Sequence, residues 1–229
     1  MTGARGHGGT GARGSTRAGI LATLLLLLPA AGFAQLRLAG LGEGAYVQHR
    51  VNAGSGVELS SGTLFGGRVV VGVGRYVEVA AGVGTGSLTA DSVTAGAADL
   101  ARGDVTVIVL PVPWLAIRAG AEQHTFTSPV VVQRWTSVRI GGEGRLLFHG
   151  GTVAGVLRFE FYPSTTVSGL PRPSTAFGAA TGLTFRSGII TARVLYQLER
   201  YDFPASGGVE RAEQMSYLTG SVGLALGRR

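Results

Sequence analysis

Glu122 and His124 have residue types and a spacing that could support acid–base chemistry. In an extended strand, residues two apart point to the same side, so the carboxylate could orient the imidazole as a general base. A hydrolase would also need a nucleophile, and no serine can be assigned to a neighbouring strand from the sequence. The pair therefore has two interpretations: a hydrogen bond at the rim of the fold, which we favour, and a weak catalytic candidate.

Other chemistry has little support in the sequence. Asp91, Asp99 and Asp104 lie close together but lack the spacing of a calcium-binding loop. The chain has no cysteine, which excludes disulfides and thiolate metal sites. His49 and His149 are expected to be solvated. We therefore expect neither a metal ion nor a cofactor.

Charged residues alternate with aliphatic ones along several runs of the chain. After Arg75 the sequence reads YVEVAAGV, which places Val77 and Val79 on one face and Glu78 on the other. Such a period of two is typical of strands whose two faces meet different surroundings. The arginines and glutamates of the polar face are expected to pair in an enclosed interior. They are Arg68, Glu78, Arg118, Glu122, Arg139, Glu143, Arg145, Arg158, Glu160, Arg193 and Glu199.

Short turn signals recur at nearly equal intervals along the chain. They centre on Gly74, Val112, Gly150 and Ser187, which are 37 or 38 residues apart. Longer polar segments rich in glycine, serine and proline lie between them. The pattern predicts about ten strands, with eight as the next choice, joined by short turns at one end and long loops at the other.

The first part of the chain has the features of an export signal. Arg5, Arg13 and Arg17 precede the apolar run ILATLLLLLPAAGFAQ, which is too short for a transmembrane helix. We predict a cleaved signal peptide over residues 1–34 and a single domain over residues 35–229. Removal of the three arginines lowers the formal net charge from +7 to +4, which argues against a nucleic-acid partner.

The composition indicates which face of the strands is buried. Only 14% of the residues are charged, whereas soluble domains carry about 25%. Aromatic residues gather near the predicted strand ends, as expected for two girdles at the interfaces of a membrane. These girdle residues are Tyr76, Trp114, Phe148 and Phe185 beside the short turns, and Trp135, Phe161, Tyr201 and Phe203 beside the loops. We therefore expect the aliphatic face to point outward to lipid.

Taken together, these features resemble the small bacterial outer-membrane β-barrel proteins of the OmpA, OmpX and OmpW kind. The resemblance covers residues 35–229 in architecture and includes no diagnostic motif. It implies an all-β, closed, antiparallel up-and-down transmembrane barrel. It also implies outer-membrane lipids, lipopolysaccharide and the barrel-insertion machinery as partners of a monomer in the outer membrane of a Gram-negative-type envelope. Unlike the usual aromatic ending of such proteins, this sequence ends Leu226-Gly227-Arg228-Arg229.

The function expected from the sequence is that of a non-enzymatic membrane protein. It would be either structural or adhesin-like, or a porin-like narrow channel for small solutes with an arginine- and glutamate-lined lumen. A first alternative is a lipid- or peptide-hydrolysing outer-membrane enzyme with Glu122 and His124 at its rim. A second alternative is a soluble exported β-barrel that binds an apolar ligand in a valine-lined interior.

Overall fold

The barrel is built from ten strands. A computed structural model describes residues 36–54, 56–91 and 97–226, so the predicted signal peptide over residues 1–34 lies outside the described residues. The strands are β1 (Leu36–Ala53), β2 (Gly56–Val73), β3 (Val77–Ala90), β4 (Ala98–Val112), β5 (Leu115–Thr127), β6 (Val132–Phe148), β7 (Val153–Val167), β8 (Thr175–Ser187), β9 (Ile190–Ser206) and β10 (Val209–Leu226). In the described part of the chain, no helix has the length and hydrophobicity to span a membrane.

The strands form one closed antiparallel sheet in which each strand pairs with its neighbours in the chain. Closure is made by β10, which pairs with β1 from Leu38 opposite Leu226 to Ala53 opposite Arg211. Every strand therefore has two hydrogen-bonded neighbours, and the sheet has no free edge. The predicted fold class, an all-β up-and-down barrel of about ten strands, is confirmed.

Four tight connections lie at one end of the barrel, which we call the turn end. They occupy residues 74–76, 113–114, 149–152 and 188–189, as the sequence predicts. Gly74 and Gly188 have φ angles of 61° and 57°, in the left-handed region that glycine enters without a steric penalty. The first and last described residues, Leu36 and Leu226, lie at this end too, because β1 begins and β10 ends there.

At the opposite end, which we call the loop end, the prediction of long loops is largely wrong. The connections are residues 54–55, 91–97, 128–131, 168–174 and 207–208, and the strands are 13 to 18 residues long rather than about ten. One of the longer polar segments that the sequence predicts to be loops, GSLTADSVTAGAADLARG from Gly86, contains the end of β3 and the start of β4. Leu88 and Leu100 in this segment are buried, so inward packing and continued strand pairing extend the sheet.

Closure between β10 and β1 requires a very close approach of the two backbones. A Cβ atom on Gly223 would lie only 1.9 Å from the carbonyl oxygen of Gly40, whereas a Cβ atom on Gly40 would have no neighbour within 4 Å. The two glycines lie at nearly the same level on paired strands, since Gly40 pairs with Leu224. Only Gly223 is therefore required by the geometry of closure.

We expect Gly223→Ala to destabilise the barrel by about 1–3 kcal/mol, because the added methyl group must push the two strands apart. The matched substitution Gly40→Ala should change stability by less than about 0.5 kcal/mol. Equilibrium unfolding in urea, monitored by tryptophan fluorescence in detergent, measures both effects. Equal effects of the two substitutions would contradict the close approach seen here.

Candidate functional site

The outer wall of the half nearest the turn end is apolar. Aliphatic and aromatic side chains point outward there and are exposed, and Val83, for example, has 71% of its surface accessible. We call this surface the apolar belt; its large side chains are Leu36, Leu38, Tyr46, Phe65, Val69, Val79, Val83, Val105, Val107, Val109, Ile117, Val138, Ile140, Leu146, Leu157, Phe159, Phe161, Phe177, Leu183, Phe185, Ile190, Val194, Tyr196, Leu218, Val222, Leu224 and Leu226. The prediction that the aliphatic face of the strands points outward is confirmed. The alternative of a soluble barrel with these valines in its interior is wrong, because water does not solvate a surface of this kind.

The apolar belt has a sharp limit along the barrel axis. On β10 it runs over nine residues, from Leu218 to Leu226, within the range of about 9–11 residues that a strand needs to cross a membrane. The next outward positions on this strand are Ser216 and Gln214. On this strand the outer wall therefore becomes polar toward the loop end, although the valines Val57, Val130, Val131, Val132 and Val209 remain exposed at that end.

Inside the apolar belt, the predicted charge network is present. Glu143 is its most connected carboxylate: Arg145 and Arg158 donate hydrogen bonds to it over 2.8 and 2.9 Å, and Arg118 donates one over 3.3 Å. Arg193 approaches the same carboxylate to 4.0 Å. Four arginines thus surround one carboxylate in the interior of the barrel, where each charge requires a partner.

A second group of ion pairs lies closer to the loop end. Arg68 donates two hydrogen bonds to Asp104, over 2.7 and 3.0 Å, and a third to Glu43 over 2.9 Å. Arg139 donates to Asp104 over 2.8 Å and to Glu122 over 3.0 Å. Such two-pronged contacts fix the positions of both side chains, because the guanidinium group is planar and presents several donors.

All eleven charged residues that the sequence placed in the lumen take part in ion pairs there. Sequence reasoning missed four further members of the network: Arg37, which pairs with Glu78, and Glu43, Arg102 and Asp104. Arg102 and Asp104 were missed because their segment was assigned to a loop, although both keep the inward alternation of β4. Continuing the period of two through that segment would have found them.

Glu122 and His124 both point into the lumen from β5 and are buried, with 4% and 1% of their surfaces accessible. His124 Nε2 lies 4.0 Å from Glu122 Oε1, too far for a hydrogen bond, and neither atom has a hydrogen-bond partner among the described residues. The predicted hydrogen bond at an exposed rim is therefore wrong. His49 was expected to be solvated, but it forms a 2.8 Å hydrogen bond with Glu213, which is fully buried.

The interior of the half nearest the loop end is apolar and aromatic. Trp135 packs edge-on against Tyr201 and Phe203, with ring centres 5.0 and 5.9 Å away. These three residues were predicted to lie in the aromatic girdle, and that prediction is wrong because they point inward. The other predicted girdle residues are exposed: Tyr76, Trp114, Phe148, Phe161 and Phe185.

This inner group, which we call the aromatic plug, fills the lumen toward the loop end. Its buried members are Ala45, Val47, Leu64, Leu88, Leu100, Phe126, Trp135, Tyr162, Val167, Ala176, Tyr201, Phe203, Met215 and Tyr217. Beside it, a cavity of about 30 Å³ borders Arg68, Arg102 and Asp104. That space holds only one or two water molecules, whereas sites for small organic ligands usually measure about 300–1,000 Å³.

We expect Glu143→Gln to destabilise the barrel by about 3–5 kcal/mol, because it removes the charge that four buried or half-buried arginines share. Glu210→Gln, on an exposed residue at the loop end, should change stability by less than about 0.5 kcal/mol. Urea unfolding in detergent compares the two variants. A Glu143→Gln barrel as stable as the Glu210→Gln barrel would show that the network does not support the fold.

No protein-family model and no curated protein matches the chain. Among solved structures, the chain is similar to the attachment invasion locus protein Ail of Yersinia pestis, with 13% identity, a TM-score of 0.34, and coverage of 85% of this chain and 100% of Ail. It is also similar to the translocator domain of the autotransporter NalP from Neisseria meningitidis, with 13% identity, a TM-score of 0.40, and coverage of 93% and 96%. For Neisserial surface protein A, the identity is 12%, the TM-score 0.35, and the coverage 81% of this chain and 97% of that protein.

The architecture itself follows from the strand pairing of the chain and from its apolar belt: it is a closed ten-stranded barrel of the transmembrane type.

Proposed function

We propose that the chain is an integral outer-membrane protein with a closed lumen and a structural or adhesin-like role. The observation that carries this proposal is the apolar belt, which surrounds a barrel whose described strands turn their ionic groups inward over the same height. In a membrane, only a closed sheet or a helix satisfies the backbone hydrogen-bonding groups. Barrels of this kind are typical of bacterial outer membranes, which the predicted signal peptide would allow the chain to reach.

Because its lumen is filled with side chains, the barrel is better suited to a closed structural role than to a channel. A solute that enters from the loop end meets the aromatic plug first. Behind the plug lie the ion pairs of Arg68, Arg139 and Glu143, which cross the lumen between different strands. A path for a solute would require both layers to separate, at the cost of exposing apolar side chains to water and of breaking buried ion pairs.

The polar wall beyond the apolar belt supports a role at the outer surface. Arg50, Arg134 and Arg200 are exposed on this part of the wall, close to the limit of the belt. Guanidinium groups at such a level suit the phosphates of lipopolysaccharide. Because the closed sheet has no free edge, one chain is sufficient for the fold, and we propose a monomer that the barrel-insertion machinery places in the membrane.

A non-enzymatic role fits the position of Glu122 and His124. Both side chains are buried between the aromatic plug and the ion pairs of the lumen. To reach them from the loop end, a lipid or peptide substrate would have to displace buried side chains such as Trp135 and Tyr217. We therefore propose no hydrolytic activity for the pair.

We expect Val222→Arg to destabilise folding into phospholipid vesicles by about 2–4 kcal/mol, because it places a charge in the middle of the apolar belt. The control Gln214→Arg lies on the same strand and the same outer face, beyond the belt, and should cost at most about 1 kcal/mol. Reversible refolding from urea into vesicles measures both. Equal costs would contradict the membrane boundary proposed between Leu218 and Ser216.

We expect the protein to produce no stepwise current in a planar lipid bilayer. Heat-modifiable migration on a gel, tested on the same preparation, verifies that the barrel is folded before it is added. A stable ohmic conductance from a folded preparation would contradict the closed lumen and would favour the narrow small-solute channel.

A further inference from the structure

Three ligand atoms of the types that bind metal ions converge in the lumen of the barrel. Glu122 and His124 project from β5, and Glu199 projects from β9 across the lumen. Their nearest carboxylate and imidazole atoms all lie within 4.8 Å of one another, and all three residues are buried. From this geometry we propose that the barrel binds one divalent transition-metal ion, such as Zn²⁺, between Glu122, His124 and Glu199.

Two of the three ligand groups have an atom without a hydrogen-bond partner in this space. His124 Nε2 and Glu122 Oε1 are 4.0 Å apart, and both are without a hydrogen-bond partner among the described residues. A buried polar atom without a partner is costly, and in natural proteins it often marks the place of a water molecule or a bound ion. Because the two atoms face each other, a single ion satisfies both.

Hydrogen bonds hold both carboxylates in place. Arg139 donates to Glu122 Oε2 over 3.0 Å and Arg102 donates to the same oxygen over 3.4 Å, which leaves Glu122 Oε1 free. Both oxygens of Glu199 accept hydrogen bonds, Oε1 from Gln197 over 2.6 Å and from Arg102 over 3.4 Å, and Oε2 from Tyr201 over 3.3 Å, so Glu199 would bind an ion through a second lone pair of one of these oxygens. Metal sites in proteins have such outer partners, which orient the ligands before the ion binds.

The two carboxylates of the site share an arginine. Among the described residues, Glu199 forms an ion pair only with Arg102, and Arg102 lies equally close to Glu122, at 3.4 Å from each carboxylate. Two carboxylates held close together in surroundings of low dielectric repel each other, and a cation bound between them relieves that repulsion.

The chemistry of the donors identifies the class of ion. One imidazole and two carboxylates suit Zn²⁺ and its neighbours in the first transition series, whereas Mg²⁺ and Ca²⁺ take oxygen ligands only. Two ligands of a tetrahedral Zn²⁺ ion lie about 3.4 Å apart, so binding should draw the three side chains together by about 1 Å. Since Glu199 belongs to a strand on the far side of the lumen, the ion would tie two walls of the barrel to each other.

The test uses the chain extracted from membranes in detergent, purified without a histidine tag and treated with a chelator. It is refolded from urea with Zn²⁺ in the presence of excess Mg²⁺ and passed through a gel-filtration column, and the metal content is measured by mass spectrometry. We expect about one Zn²⁺ ion per chain and a higher temperature for the heat-modifiable gel shift. With Co²⁺ in place of Zn²⁺, visible absorption bands should report nitrogen and oxygen ligands.

Variants of the individual residues distinguish this site from weak surface binding. His124→Gln and Glu122→Gln should each lower the affinity for Zn²⁺ by at least about 100-fold, more than the loss of an outer partner usually causes. His49→Gln is the matched control, because His49 is also a lumen histidine beside a glutamate but is already hydrogen-bonded to it. His149→Gln controls for binding at the exposed turn. Both controls should bind Zn²⁺ like the unmodified chain.

Three results would overturn the proposal. They are an unmodified, folded chain that retains no Zn²⁺, a His124→Gln chain that binds as tightly as the His49→Gln chain, and replacement of the bound Zn²⁺ by the excess Mg²⁺ in the refolding mixture. The gel shift verifies folding of every variant, so a loss of binding that comes from unfolding is recognised. The experiment is independent of the conductance measurement, because a closed barrel can exist with or without the ion.

Discussion

The solvent outside this barrel changes from hydrocarbon to water along its axis, and each side chain must suit the surroundings that it faces. On β9, Val194 and Tyr196 point outward in the apolar belt, whereas Tyr201 and Phe203 point inward toward the loop end. The apolar residues of this uninterrupted strand thus lie on its outer face within the belt and on its inner face toward the loop end. One half of the molecule is built like a membrane barrel, and the other half has the apolar interior of a soluble one.

This exchange of faces explains why the register is so strongly constrained. A slip by one residue would turn Arg118 and Glu143 toward lipid and the valines of the belt toward the ionic interior. Each arginine placed in the middle of the lipid layer costs about 2–4 kcal/mol, and the partners left behind would remain buried without compensation. The main effect of the ion pairs is therefore to select a single strand register, and their contribution to the free energy of folding is smaller.

The filled interior connects the fold to the proposed role. Salt bridges join the walls at the level of the belt, and the aromatic plug joins them beyond it, so the wall is supported from inside over its whole height. The strands continue past the membrane boundary and end in short connections, some of only two residues. Beyond the apolar belt such a wall carries exposed arginines such as Arg50, Arg134 and Arg200, which suits the proposed structural or adhesin-like role.

The sequence by itself determined the strand class, the four short turns and the inward facing of the charged residues, because alternation and turn chemistry depend on neighbours in the chain. The sequence also contained the signal that some aromatic residues point inward. Trp135 lies four residues from Arg139 on β6 and therefore on the same inner face. It was assigned to the girdle because it lies near a strand end. Only the tertiary structure decided that Glu199 lies beside Glu122 and His124, which carboxylates Arg102 contacts and which arginines Asp104 contacts, and where the strands end. Those contacts form across the lumen between distant segments, and their pairing depends on the number and stagger of the strands in the closed barrel rather than on local sequence.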